Sequence, residues 1–151
     1  EVLCLTDGQV PLLIELKMPG ADTEICRRTY DLLNHYHGNF LVQSFNSEAL
    51  RWFYRNAPHI LRGQLSSNLV KDTPDAPYVY RFLVKHLLTN FWGKPDFISY
   101  KLTDLSNPSA LFLRKVMNTP FAVWTLRDHF TGRREPRNYD MEIFEKSAEN
   151  Y

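Results

Sequence analysis

The sequence predicts an α/β fold built on a parallel sheet, and two observations carry that expectation. Short β-branched or apolar runs alternate with stretches of helical periodicity from one end of the chain to the other, the rhythm of βα units. The 151 residues, 44% hydrophobic and 23% charged, suffice for one domain with a core and a solvated surface. Five strand–helix units can be counted. A (β/α)8 barrel uses about 31 residues per unit, so five units need about 155. Connectivity alone leaves two architectures: five-eighths of a barrel, or a five-unit doubly wound sheet.

Taken in order, Val10 to Leu16 reads as a strand closed by Met18-Pro19-Gly20. A helix starts near Asp22, with Ile25, Leu32, Leu33 and Tyr36 expected along one face and Gly38 ending it. Asn39 to Phe45 is the second strand. Asn46 caps a helix that points Ala49, Leu50 and Phe53 inward and stops before Pro58. Ile60 to Leu65 is a short third strand, and Tyr78 to Phe91 a helix ended by Gly93. Asp96 to Lys101 is the fourth strand, followed by an N-cap and N1 pair, Asn107-Pro108, that opens a helix through Met117. Pro120 introduces the strand Phe121 to Leu126. A basic loop then leads to a last helix expected from Asp140 to Asn150, with Ile143 and Phe144 on its inner face. There is no Gly/Ser linker and no short repeat.

Charge and cysteine content narrow the function classes. Eighteen Lys plus Arg stand against seventeen Asp plus Glu, a formal charge of +1, so no global field recruits nucleic acid or an anionic membrane. The longest apolar stretches, Leu12 to Leu16 and Phe82 to Leu88, fall short of the roughly 20 residues a bilayer span demands. Cys4 and Cys26 are too few for a disulfide scaffold or a four-ligand zinc site and suit a reducing, cytoplasmic setting. The chain opens at Glu1 in an apolar segment with no basic leader, which reads as a start within a domain or at a processed end.

Three strand-end positions carry chemistry. In Leu13-Ile14-Glu15-Leu16-Lys17, period two puts a carboxylate and an ammonium on one face. In a closed barrel that face is the interior, and the C-terminal strand end is where barrel sites are built. There Glu15 suits a hard divalent cation and Lys17 a phosphate; the competing reading is a structural ion pair. Gln43 shares its strand's inward face with Leu41 and can donate to a substrate oxygen or simply bond a neighbour. Trp124, inward with Ala122, is either an apolar wall for a small ligand or core.

Leu13-Ile14-Glu15-Leu16-Lys17, Val42-Gln43-Ser44-Phe45-Asn46, Arg62-Gly63-Gln64-Leu65, Asp96-Phe97-Ile98-Ser99-Tyr100 and Val123-Trp124-Thr125-Leu126, in this order and spacing, resemble the glycerophosphodiester phosphodiesterase family. The resemblance runs from about Val2 to about Leu126 and implies a (β/α)8 TIM barrel, here represented by about five βα units, the third through the seventh. It implies a hydrolase that splits glycerophosphodiesters into glycerol 3-phosphate and an alcohol with the help of a divalent cation, Mg²⁺ or Ca²⁺. Residue by residue, Glu15 matches a metal-binding carboxylate, Lys17 the lysine beside the phosphodiester, and Gln43 and Trp124 positions lining the substrate cleft.

The chain departs from the family's pattern in lacking a His-Arg dipeptide, a Glu-x-Asp motif before Glu15 and a His-Asp motif, so none of its residues matches the family's catalytic histidines. The final strand is also expected to be absent. A polypeptide of these residues alone is therefore expected to be inactive and prone to aggregate through its open sheet edges. Of the histidines present, His35 and His37 are expected at a solvated helix end, His59 before its strand and His86 on a helix face; only His129 falls on the rim of the site. The segment Thr131-Gly132-Arg133-Arg134-Glu135-Pro136-Arg137 is a basic cluster on that rim, either a solvated loop or a lid that attracts anionic groups. Two other functions remain open: a non-catalytic barrel that binds phosphodiesters or a protein partner, and a sphingomyelinase-D-like phospholipase.

Overall fold

The computed structural model describes residues 1–72, 77–126 and 139–145. The chain forms two compact units, Glu1–Leu65 with Thr89–Asp96, and Ser66–Leu88 with Phe97–Tyr151. Both are mixed α/β with parallel strands.

In the first unit, α1 (Val2–Thr6) leads into β1 (Leu12–Glu15), α2 (Glu24–Leu33), β2 (Phe40–Ser44), α3 (Ser47–Asn56) and β3 (Arg62–Ser66). The strands run parallel, with Glu15 opposite Gln43 and Gln43 opposite Gly63. Alternation decides the two faces of this sheet. Leu16, Met18 and Val42 are buried with Cys26 and Leu33 of α2 and Ala49 and Phe53 of α3, and Ile14 packs on the same cluster. Glu15, Lys17 and Gln43 have the opposite parity and so belong to the face turned away from the helices.

The expected cap of α3 is present. Asn46 accepts from the backbone N–H of Glu48 at 2.9 Å, and Ala49, Leu50 and Phe53 are wholly buried. Burial of a leucine or phenylalanine side chain contributes about 1.5–3 kcal/mol. Of the stripe expected on α2, Leu33 is buried, whereas Ile25 and Leu32 are 40% and 66% exposed and Cys26 is buried instead. The helix begins at Glu24, whose N–H donates to Asp22 Oδ1 at 2.9 Å.

Arg62, 5% exposed, anchors the N-terminal end of β3 within the same unit. Its guanidinium donates to the carbonyls of Lys94 and Ile60 at 2.9 and 3.0 Å and to Asp96 Oδ1 at 3.1 Å, while Asp96 Oδ2 accepts from the Arg62 backbone N–H. A buried cation is tolerable only when its donors are satisfied in this way.

The second unit holds α4 (Leu69–Asp72), α5 (Tyr78–Lys85), β4 (Phe97–Lys101), a 3₁₀ turn (Leu102–Asp104), α7 (Pro108–Lys115), β5 (Phe121–Leu126) and β6 (Met141–Phe144); α6 (Asn90–Gly93) belongs to the first. β4, β5 and β6 are parallel neighbours in that order. The core on their helical side is Leu87, Ile98, Tyr100, Ala110 and Phe121. Asn107 caps α7 as expected, accepting from the Ser109 N–H at 2.9 Å.

Two sequence expectations are overturned here. The helix expected from Tyr78 to Phe91 stops at Lys85, because Leu87 turns left-handed (φ 56°) and is 4% exposed in the second core. A left-handed residue costs about 1–2 kcal/mol, a cost that burial of a leucine offsets. The hydroxyl of Tyr100 and the amide of Asn107 take up the Lys85 carbonyl at 2.8 and 3.2 Å. The last helix expected from Asp140 is instead a strand where it is described. Asp140 Oδ2 accepts from the Phe121 N–H at 2.8 Å and its carboxylate holds both terminal nitrogens of Arg114, which lays Met141–Phe144 alongside β5. The strands therefore number six rather than five among the described residues.

Candidate functional site

The C-terminal end of β1 is held by its neighbour strand. The parallel ladder continues past Glu15, with the Leu16 N–H donating to the Gln43 carbonyl at 2.8 Å. Ser44 Oγ donates to the Leu16 carbonyl at 2.7 Å, and Asn46 Nδ2 donates to the carbonyls of Met18 and Gly20 at 3.0 and 2.7 Å. The segment that carries Glu15 and Lys17 is thus fixed on both sides of Lys17. Ser44 and the second role of Asn46 were not read from the sequence.

Glu15 and Lys17 are exposed, whereas Gln43, opposite Glu15 in register, is 7% exposed. Its Oε1 is buried and has no hydrogen-bond partner. An orphaned buried acceptor costs about 1–3 kcal/mol, so such an atom calls for an explanation. Its neighbour Gln64 needs none: Oε1 accepts from Ser47 Oγ at 3.0 Å and Nε2 donates to the Phe45 and Leu65 carbonyls at 3.1 and 2.9 Å. Gln64 lies on the helical side and is structural.

Trp124 stands in the second unit, half-buried, opposite Lys101 in register. Ser99 and Ala122, two residues back on each strand, are also opposite one another. The indole Nε1 donates to the Ser99 carbonyl at 3.1 Å, which fixes the plane of the ring on this face. Ser99 is fully buried and its Oγ is a second orphaned polar atom. Phe121 and Val123 are buried with the opposite parity, as the strand's alternation predicts.

The oxygen donors of the first unit suit a hard divalent cation in part. Such an ion takes six to eight oxygens. Glu15 offers a carboxylate and Gln43 an unclaimed amide oxygen on the next strand, and both are hard donors; they fit as two members of a larger shell. Among the described residues no group of three His, Cys, Asp or Glu side chains could hold a metal ion.

His35, His37 and His59 lie where the sequence placed them, whereas His86, expected on a helix face, follows the end of α5. His35 and His37 are exposed beyond the end of α2, with His35 Nδ1 2.9 Å from the Asp31 carbonyl. His59 meets the edge of Tyr30, and His86 Nδ1 lies 3.2 Å from Ser109 Oγ. His129 and the basic cluster Thr131 to Arg137 fall outside the described residues. No helix among the described residues is long and apolar enough to cross a membrane.

No protein-family model and no curated protein matches the chain. Solved structures do. A protein of Silicibacter pomeroyi assigned as a glycerophosphoryl diester phosphodiesterase superposes with a TM-score of 0.67 at 18% identity, over 95% of this chain and 50% of that one. A protein of Galdieria sulphuraria assigned as a glycerophosphodiester phosphodiesterase gives 0.59 at 18% identity, over 82% and 48%. A phosphodiesterase of Oleispira antarctica, solved in complex with the product sn-glycerol-3-phosphate, gives 0.53 at 20% identity, over 79% and 44%. The chain spans about half the length of the structures it matches. Its fold is similar to that of the glycerophosphodiester phosphodiesterases, the family that its ordered strand motifs resemble.

Proposed function

We propose that the chain contributes six consecutive strands of a (β/α)8 barrel to a metal-dependent phosphodiester hydrolase, which converts glycerophosphodiesters to glycerol 3-phosphate and an alcohol. The observation that carries this reading is the placement of Glu15 and Lys17 at the C-terminal end of a parallel strand, on the face turned from the helices, in a chain of this fold.

Each assigned residue has a distinct task. A divalent cation, Mg²⁺ or Ca²⁺, would neutralise charge on the phosphoryl oxygens, and Glu15 would be one of its ligands. Lys17, held by the backbone clamp of Ser44 and Asn46, presents an ammonium to the phosphodiester as a point charge. Gln43 lies on the same face to meet a substrate oxygen. Trp124, pinned through its indole nitrogen, gives a flat apolar wall for the glycerol end. General acid and base groups come from residues to which this chain has no match. The two free thiols suit a reducing compartment, and we place the protein in the cytoplasm.

The test is hydrolysis of glycerophosphocholine by the protein expressed from its whole coding sequence, with and without a chelator. Release of sn-glycerol 3-phosphate that stops on chelation supports the reading. Binding of the diester without turnover would favour a non-catalytic barrel. Turnover of sphingomyelin but not of glycerophosphocholine would favour a sphingomyelinase-D-like enzyme.

A further inference from the structure

We infer that the Gln43 side-chain oxygen is itself a ligand of the cation that Glu15 holds, so that β1 and β2 together form a two-oxygen ledge for a hard divalent ion. The inference rests on the reading above for the presence of the ion; the metal contact is made by the amide oxygen and leaves the Gln43 NH2 group for the substrate oxygen assigned there. Three observations carry it. Glu15 and Gln43 are register partners on adjacent parallel strands, on the face turned away from α2 and α3. Adjacent strands lie about 4.8 Å apart, a gap that one ion spans with an oxygen at 2.3–2.6 Å on either side. The unclaimed atom is an acceptor, Oε1, buried and without any hydrogen-bond donor, and a cation satisfies it as a donor would.

The alternative partners for this amide are already engaged. Gln64 on the next strand is saturated by Ser47 and three backbone carbonyls. The Gln43 backbone carbonyl accepts from Leu16, which fixes the strand beneath the side chain. A neutral amide oxygen beside a carboxylate favours a hard ion such as Ca²⁺, Mg²⁺ or Mn²⁺ over thiophilic metals.

The experiment is calorimetric titration of Ca²⁺, without substrate, into the protein expressed from its whole coding sequence, comparing wild type with Glu15→Gln, Gln43→Leu and Gln43→Glu. Water-proton relaxation of bound Mn²⁺ is the second readout. The expected result is a loss of about tenfold or more in affinity for Glu15→Gln and Gln43→Leu, recovery in Gln43→Glu, and one additional fast-exchanging water on Mn²⁺ in Gln43→Leu. Should Gln43→Leu fail to fold, Gln43→Met supplies the same comparison. If Glu15→Gln weakens the ion and Gln43→Leu leaves both affinity and relaxation unchanged, Gln43 is no ligand and the inference is overturned while the parent reading stands. If Glu15→Gln also leaves the affinity unchanged, the metal assignment itself fails and the inference with it.

Discussion

Asn46 Nδ2 donates to the Met18 carbonyl at 3.0 Å while its Oδ1 accepts from the Glu48 N–H at 2.9 Å, so one side chain both ties down the end of β1 and starts α3. Asn46→Ala removes both bonds. A lost N-cap costs about 0.5–2 kcal/mol, and the freed Met18–Gly20 turn adds to it. Urea denaturation should show the midpoint falling, and because Lys17 lies in the released segment, phosphate affinity should fall as well. Asn46→Asp keeps the cap but not the clamp; it should recover most of the stability and little of the affinity.

Asn107 makes the corresponding pair of bonds in the second unit, capping α7 through Ser109 and donating to the Lys85 carbonyl at 3.2 Å where α5 ends. It is 8% exposed. Asn107→Ala should therefore destabilise by about 0.5–2 kcal/mol, the range for a lost N-cap, since the Lys85 carbonyl keeps its bond from the Tyr100 hydroxyl. Thermal denaturation followed by circular dichroism measures this.

The two cysteines should be chemically distinct. Cys26 is wholly buried beside Met18, and burial pushes its thiol up to about 11, whereas Cys4 is exposed. A thiol reacts as the thiolate. At pH 8 an aromatic disulfide reagent should therefore titrate one thiol of the pair in the native protein and both in denaturant. Equal rates for both in the native state would contradict the packing of α2 against β1.

Glu24 accepts from both Arg27 and Arg28, and those hydrogen bonds hold its carboxyl at about 2. A carboxyl lowered on folding stabilises the folded state above its unfolded value and loses that contribution as pH falls toward the folded one. The window is therefore about pH 4.5 down to about 2. Comparing wild type with Glu24→Gln across this range should show the difference in stability shrinking with acidity. The effect is small, since exposed pairs of this kind contribute little.

Trp124 and Ser99 give a separate handle on the proposed substrate wall. Trp124→Phe keeps a flat ring but loses the bond to the Ser99 carbonyl, and Trp124→Ala removes the wall. Loss of an apolar contact of this size should raise KM about tenfold or more in Trp124→Ala, with a smaller rise in Trp124→Phe. A KM unchanged in both would make Trp124 a packing residue.

What the sequence made legible follows from period and caps. The two faces of β1, β2 and β5 follow from alternation alone, and Asn46 and Asn107-Pro108 marked helix starts that the structure places as expected. What it concealed was decided by tertiary contacts. The break after Lys85 depends on a leucine driven into a left-handed turn by burial. β6 depends on Asp140 reaching the Phe121 N–H and Arg114, and four residues of Met-Glu-Ile-Phe carry no period that separates strand from helix. At the candidate site, the parity of Glu15, Lys17 and Gln43 was readable. The clamp by Ser44 and Asn46 and the orphaned Gln43 oxygen were not, because both depend on distances between strands.

The most direct test of the account is the release of sn-glycerol 3-phosphate from glycerophosphocholine by the protein expressed from its whole coding sequence, measured for wild type and Glu15→Gln in the presence of Ca²⁺ or Mg²⁺. The account predicts metal-dependent release by wild type and a loss of about a hundredfold or more in Glu15→Gln, the scale expected when a charge-stabilising group is removed. Equal release by the two proteins, or release indifferent to chelation, would contradict it.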